Sequence, residues 1–98
     1  MRMSHDLRRC ARGIECQIRI PGVCNHNPET SVLCHYRQNT GIGQKSPDLI
    51  AAVGCSDCHD AVDRRRFMDL DYDYVRQCHA EGVMRTLALW VREGLVSW

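Results

Sequence analysis

The sequence lacks the features of a membrane or exported protein. No uninterrupted apolar run in its 98 residues approaches the roughly 20 residues that a membrane-spanning helix requires. The N-terminal segment, MRMSHDLRRCARG, is charged and has no apolar stretch of the about 7 to 15 residues that a secretory signal needs. We therefore expect no membrane partner and a reducing cytoplasmic location, where structural disulfides are rare.

Repeats, low-complexity segments and an evident linker are also absent, so the length predicts a single domain over residues 1–98. The seven cysteines are an odd number, which prevents complete pairing within the chain. In an intracellular chain, Cys-x-x-Cys beside histidine is more typical of a metal site than of a disulfide. The cysteine pattern therefore favours metal chemistry.

Charge is unevenly distributed, although the formal net charge is only +1. Residues 1–45 hold seven Arg and Lys against three Asp and Glu, whereas residues 46–98 hold six against nine. A basic half is compatible with a polyanionic partner, although charge runs are more often solvated surface. Charge alone therefore makes nucleic acid a candidate partner and no more.

Turn formers and apolar patterning predict the order of the secondary structure. Residues 14–24 alternate like a short extended segment, and SVLCHYR (31–37) reads as a strand. Glycines and a proline predict a loop from Gln38 to Pro47, and a short helix is expected from Asp57 to about Arg66.

The last segment carries apolar residues at helical spacing. It predicts an amphipathic helix over residues 72–93 that packs on the domain, with Gly94 as its stop. The closing LVSW either packs back on the core or makes an oligomer contact. Monomer and homodimer both remain open.

Cysteine spacing predicts a structural zinc ion. Cys55 and Cys58 are separated by two residues, a spacing at which both thiolates can reach one tetrahedral Zn²⁺ at about 2.3 Å. Cys16 and Cys24 bracket a Pro-Gly turn that can bring its ends together, so we choose these four as ligands, with the other three cysteines as substitutes. Structural zinc contributes an apparent ~10 to 16 kcal/mol in small zinc domains, enough to decide whether such a chain folds.

Other interpretations of the motif stay open. Cys55-Ser56-Asp57-Cys58-His59 matches the C-x-x-C-H haem signature, but haem leaves the upstream cysteines unexplained. A redox site would lack its usual strand-helix-strand context, and buried free thiols are common core residues. His59 is a candidate fourth ligand of a Cys₃His site. Its side chain, however, leaves the helix about 100° from Cys58 and can point to a second site.

These residues resemble the HNH endonucleases, the ββα-metal finger group. Leu33-Cys34-His35 is similar to the first strand, 38–47 to the loop, 48–53 to the second strand, and the segment from Cys55 through Asp63 to the helix. More closely, IRIPGVCNHNPET, HYR and GCSDCHDAVDRR resemble the YbcO-like nuclease family encoded in phages and prophages of bacteria. The resemblance implies a small zinc-stapled α+β fold, with an HNH-like core over 16–66 and an added C-terminal helix.

The same resemblance implies a metal-dependent endonuclease acting on DNA. His35 would be the general base, because a neutral imidazole accepts a proton from water at physiological pH. His59 with Asp63 or Asp48 would hold Mg²⁺ or another divalent ion that neutralises the charge developing on phosphate. These four are the predicted catalytic residues.

Two positions depart from the family pattern. Cys34 precedes the general base where many members have a metal-binding Asp or His, and a thiol is a poor ligand for magnesium. The asparagine of the HNH name has two candidate counterparts, Asp48 and Asn39. We prefer Asp48 because a carboxylate binds metal directly.

Lys45 and Arg66 are the predicted phosphate-binding residues. Arg66 would share a helical face with His59 and Asp63, and Lys45 lies in the loop. A different class of function remains as the alternative: a non-catalytic zinc module that binds nucleic acid or protein, in which both histidines are structural.

Overall fold

The computed structural model describes residues 2–3, 6–37 and 47–97. Within them the chain runs through β1 (Arg2–Met3), α1 (Leu7–Ala11), a 3-10 turn (Pro28–Thr30), β2 (Val32–His35), β3 (Ala51–Gly54), α2 (Ser56–Val62), α3 (Tyr72–Arg92) and β4 (Val96–Ser97). The predicted α+β class is confirmed. None of the described helices is long and apolar enough to cross a membrane.

The centre of the fold is the antiparallel pair of β2 and β3, in which His35 lies opposite Ala51 and Val32 lies opposite Gly54. The second strand begins at Ala51 and not at residue 48 as predicted. The reason is a turn: the Ile50 N–H donates to the Pro47 carbonyl oxygen at 2.9 Å, which bends the chain before the strand starts.

Because side chains alternate across a strand, this pair separates two cores. We call the first the thiol core; its buried residues are Cys16, Ile18, Ile20, Val23, Cys34, Ala52, Cys55, Cys58, Ala61, Val75, Cys78 and Val83. We call the second the apolar core; its buried residues are Leu7, Ala11, Leu33, Ala51, Val53, Trp90 and Val96. Alternate residues of β2 therefore serve different cores.

Helix α2 is shorter than predicted. It begins after Cys55, whose Sγ accepts the backbone N–H of Cys58 at 3.4 Å, and it ends at Val62. Arg64 then adopts a left-handed backbone conformation with φ of 60°, which no α-helix can continue through. The predicted helical face shared by His59, Asp63 and Arg66 is therefore wrong as regards Arg66.

Helix α3 matches its prediction to within one residue. Its side-chain N-cap is Asp71, which accepts the Asp73 N–H at 3.0 Å. The chain leaves the helix through Gly94, whose φ of 76° is readily adopted only by glycine. At Gly82 a Cβ would lie 3.0 Å from the Gln17 carbonyl oxygen, so the missing side chain allows α3 to approach the cysteine-bearing loop.

The predicted extended segment over 14–24 does not form a strand, but the Pro-Gly turn expected within it is present. The N–H groups of Val23 and Cys24 both donate to the Ile20 carbonyl, at 3.1 and 3.0 Å, and so form a turn. The Gln17 carbonyl accepts two bonds from the Arg85 guanidinium, at 2.9 and 2.7 Å. These groups are satisfied locally and by α3, so they do not form a strand ladder.

The chain ends pair with each other, which the sequence left undecided. Met3 of β1 lies opposite Val96 of β4, and Val96 is buried in the apolar core. Helix α1 was not predicted. It begins at Asp6, whose carboxylate accepts the Arg8 N–H at 3.1 Å.

Candidate functional site

The four chosen cysteines lie together. The Sγ atoms of Cys16, Cys24, Cys55 and Cys58 are all within 4.8 Å of one another, and those of Cys24 and Cys55 are 3.9 Å apart. A tetrahedral zinc ion with bonds of about 2.3 Å requires sulfur atoms somewhat under 4 Å apart. The cluster can therefore hold a metal ion with little movement.

Backbone donors around the cluster favour thiolate sulfur. The N–H of Arg19 points to Cys16 Sγ at 3.4 Å, and the N–H of Asn25 points to Cys55 Sγ at 3.5 Å. A hydrogen bond from the Cys58 thiol lowers the pKa of Cys16 to about 4, whereas that bond and burial raise the pKa of Cys58. Crowded thiols that share protons in this way suit replacement of those protons by a cation.

A cavity of about 420 Å³ lies between α1, β2 and the end of α2. It contains two imidazoles, one carboxylate and three guanidinium groups; its lining residues are Arg8, Arg12, Ser31, Val32, Leu33, His35, Arg37, His59 and Asp63. The predicted residues His35, His59 and Asp63 therefore line one cavity. No other described concavity brings both His35 and His59 together.

The imidazole of His35 is paired with a carboxylate. Its Nε2 lies 2.7 Å from Asp48 Oδ1, and the same oxygen accepts Arg8 Nε at 3.3 Å. A carboxylate can only accept, so Nε2 carries the hydrogen, and in the neutral form of the imidazole Nδ1 keeps its lone pair. The hydrogen bond from His35, supported by the charge of Arg8, lowers the pKa of Asp48. Asp48 is thus bonded to the histidine and is not among the residues that line the cavity.

Helix α2 presents the cluster and the cavity from neighbouring positions. Cys58 is fully buried in the thiol core, whereas the next residue, His59, turns to the cavity. One helical turn later, Asp63 Oδ2 lies 3.1 Å from His59 Nε2. His59 is therefore paired with a carboxylate and is not one of the four clustered ligands.

Cys34 faces away from the cavity. Only 1% of it is exposed, and burial raises the pKa of its thiol. Strand alternation accounts for this, because Cys34 and His35 are consecutive residues of β2. The side chain of the residue before His35 therefore does not line this cavity.

Of the two predicted phosphate-binding residues, the structure describes only Arg66, which does not line the cavity. Arg66 Nη1 lies 2.9 Å from Asp57 Oδ1 and 3.8 Å from Asp60 Oδ2, and Arg66 lines neither concavity that contains His35. Lys45 and Asn39 lie outside the described residues. The phosphate-binding role of Arg66 and Lys45 stays a prediction.

The cavity contains arginines that the sequence analysis missed as site residues. Arg8 and Arg12 come from α1 and its C-terminal cap, and Arg37 follows β2. All three belong to the basic first half of the chain, so charge asymmetry was the signal that could have found them. Motif spacing could not have found them, because no sequence pattern predicted helix α1.

A second cavity, of about 330 Å³, adjoins the first and shares three of its residues, His35, Arg37 and Asp63. His79 lines it as well; its Nε2 lies 2.9 Å from the Cys34 carbonyl oxygen. Because a carbonyl only accepts, this nitrogen carries a hydrogen. Burial lowers the pKa of His79, so the neutral imidazole is favoured.

These features define a class: small α+β proteins in which four convergent thiols fix a short helix beside a polar, arginine-lined cavity. Over residues 5–95 the chain matches the model of the family described as "Putative nuclease YbcO". The chain belongs to this family.

Individual relatives agree with that membership. "Putative nuclease YbcO" of Escherichia coli (strain K12) and its namesake of Enterobacteria phage 82 are each 55% identical to the chain over 94 residues, covering 94% of it and 97% of the relative. A solved structure described as "Structure of a putative bacteriophage protein from Escherichia coli str. K-12 substr. MG1655" is similar to the chain with a TM-score of 0.78 and 52% identity. That match covers 91% of the chain and all of the solved one.

Proposed function

We propose that this protein is a metal-dependent endonuclease that hydrolyses phosphodiester bonds in DNA. The observation that carries the proposal is the single cavity lined by His35 and by the His59–Asp63 pair. The order of β2, β3 and α2, with one histidine at the end of β2 and one on α2, supports the proposal because it is the order expected of a ββα-metal nuclease. The names of the relatives favour the same class of reaction.

His35 is the proposed general base. Hydrolysis needs an attacking water that has lost a proton, and Nδ1 is the nitrogen of this imidazole left free to take it. Asp48 holds the tautomer through the 2.7 Å contact and stabilises the imidazolium that forms. We therefore assign Asp48 an orienting role, in preference to the metal-binding role that the sequence predicted.

His59 and Asp63 are the proposed ligands of the catalytic divalent ion. When bound, a cation such as Mg²⁺ would supply Lewis-acid stabilisation of the charge on phosphate and on the leaving oxygen. His59 Nε2 and Asp63 Oδ2 lie 3.1 Å apart and both residues line the cavity, so both atoms could bind the same ion once Nε2 releases its proton to water. Cys58, the residue before His59, ties this helix to the thiol cluster.

The four-cysteine cluster is the proposed structural zinc site. An all-sulfur donor set suits Zn²⁺ and excludes Mg²⁺, which prefers oxygen. Its ligands come from the loop before β2 and from the start of α2, so the ion would fix His59 relative to the sheet.

The test is plasmid nicking with magnesium or manganese by wild type and His35→Ala. We expect wild type to nick DNA and the variant to lose at least about 100-fold in rate, the usual size of a general-base contribution. Bound zinc and thermal unfolding should be unchanged, which excludes loss of fold as the cause. A wild type that binds DNA and never cuts it would instead favour a non-catalytic zinc module.

Asp48→Asn separates orientation from metal binding. The amide can present its N–H to the imidazole and select the wrong tautomer, so we expect cleavage to fall by at least about tenfold without a change in the metal concentration needed for half-maximal activity. Asp69→Asn, an exposed carboxylate with no ion pair in the described part of the chain, is the control. A large rise in the metal requirement of Asp48→Asn would contradict the orienting role.

A further inference from the structure

The arginines that line the two cavities differ in whether their guanidinium groups already have hydrogen-bond partners. Arg64 donates to the carbonyl oxygens of Leu70 and Met68, at 3.3 and 3.2 Å. Arg76 donates to the Arg37 carbonyl oxygen at 3.0 Å, and its guanidinium lies 4.4 Å from the centre of the Tyr36 ring. These two guanidinium groups hold the fold together and have few donors left for a ligand.

Arg12 and Arg37 are different. Both are exposed, both line the first cavity, and neither side chain has a hydrogen-bond or ion-pair partner among residues 2–3, 6–37 and 47–97. Arg8, the third arginine of that cavity, is partly engaged by Asp48. The cavity thus holds two unneutralised guanidinium groups beside the reacting residues.

The positions of the two arginines are set by the backbone. Arg12 caps α1, where its N–H donates to the Arg9 carbonyl oxygen at 3.3 Å. Arg37 lies two residues after His35, the last residue of β2, and the bond from Arg76 anchors its carbonyl. Arg12 lines the first cavity only, whereas Arg37 lines both. The guanidinium groups of Arg12 and Arg37 therefore lie along a path that leads from the first cavity, past His35, into the second cavity.

Acidic groups do not cancel this charge. Within the described lining of the first cavity the carboxylate is Asp63, which is shared by His59 and, at 3.6 Å, by Arg65. Asp48 lies behind His35 and accepts from it. An anion entering the cavity would therefore meet free guanidinium donors that can bind two phosphate oxygens at once.

We propose that Arg12 and Arg37 bind backbone phosphates of a nucleic acid strand that runs through both cavities, with the reacting phosphodiester at His35. This rests on the proposed nuclease function and names the residues that position its substrate. Both arginines act on the strand and not on the proton transfer. They replace Arg66, whose side chain is held by Asp57, as the first choice for phosphate contact.

The experiment measures binding of a fluorescent 30-nucleotide DNA, as single strand and as duplex, by anisotropy over a range of sodium chloride without added divalent ions. We expect Arg12→Gln and Arg37→Gln each to weaken binding about threefold to tenfold. Each should also reduce the slope of log K against log salt by about 0.9 for duplex or 0.7 for single strand, the value of one lost phosphate contact.

Arg92→Gln is the matched control, because Arg92 is an exposed arginine in the last turn of α3 and lines neither cavity. It should keep the wild-type affinity and slope, and zinc content should be equal in all variants. Cleavage by wild type together with unchanged slopes for both cavity variants would overturn the inference and leave the nuclease proposal intact. Arginine-dependent binding without any cleavage would support the inference and overturn the proposed reaction.

Discussion

The two cores of this small protein are stabilised in different ways. The apolar core is made by elements of regular structure, and its largest fully buried side chain is Trp90. The thiol core includes the irregular loop before β2, whose backbone is secured by turns and by the Arg85 bonds. Burial of apolar surface suits the first, whereas the second brings together four thiols that could hold a metal ion.

The candidate site draws on both regions. Arg8 and Arg12 come from α1 on the apolar side, His59 and Asp63 from α2 on the thiol side, and β2 carries His35 between them. A weakened thiol core should therefore damage the site through α2, and a weakened apolar core should damage it through α1. The following experiments test that division.

The largest effect is expected from breaking the metal cluster. Cys58→Ser removes one ligand of the four-thiol cluster, so most of the apparent ~10 to 16 kcal/mol of structural-zinc binding should no longer support folding. We expect loss of bound zinc and of a cooperative thermal transition. Cys78→Ser is the control, since Cys78 lies in the same core but outside the cluster. Equal zinc content and stability in the two variants would refute the structural-metal proposal.

The next largest effect on stability is expected from Trp90→Ala. Trp90 is 1% exposed, and truncating a buried tryptophan costs about 3 to 5 kcal/mol of unfolding free energy. The neighbouring Val91 is 36% exposed, so Val91→Ala should change stability by less than about 0.5 kcal/mol. Denaturant unfolding measures both. If the two cores are stabilised independently, folded Trp90→Ala protein should keep its zinc. Loss of zinc from the folded variant would show that the two cores are not independent.

The smallest effect is expected on the pH dependence of the unfolding free energy. Burial lowers the pKa of His79, so the unfolded chain binds a proton at a higher pH than the folded one. The stability contributed by this neutral group is complete above the unfolded histidine pKa of about 6.5 and is lost as pH falls toward the lower folded pKa. Wild type should therefore lose more unfolding free energy between pH 7.5 and 5 than His79→Gln, which keeps an amide donor for the Cys34 carbonyl.

That comparison also separates two sources of acid sensitivity, because protons compete with metal for the thiols in both proteins. Zinc release measured in parallel should follow the same pH profile in wild type and His79→Gln. Identical unfolding profiles would assign the whole acid response to the thiol core.

Spacing along the chain was sufficient where the chemistry is local. Cys55, Cys58 and His59 lie within five consecutive residues, and helix geometry alone separates the direction of His59 from that of Cys58. Helix α3 was predictable because a long apolar period leaves little ambiguity. The pairing of Cys16 and Cys24 with them rested on a turn, and the structure agrees in bringing all four together.

The prediction of an extended segment over residues 14–24 failed because hydrogen bonds to distant residues, and not the local apolar pattern, decided the backbone conformation. Residues 14–24 alternate in sequence, yet the Gln17 carbonyl is taken by Arg85, 68 residues away. Arg66 failed to share a face with His59 because the left-handed backbone at Arg64 ended the helix. Neither event has a signature in a short window of sequence.

By itself the sequence determined the final helix and the paired spacing of Cys55 and Cys58, because helical period and motif spacing act between near neighbours. The resemblance to the HNH endonucleases supplied the two histidines worth testing. The tertiary structure alone decided that Asp48 bonds to His35, which arginines reach the cavity, and that the side chains of Arg12 and Arg37 have no partner in the described part of the chain. Those outcomes depend on which side chains remain unpaired after distant segments have packed, and neutralisation of a charge is a property of the folded chain.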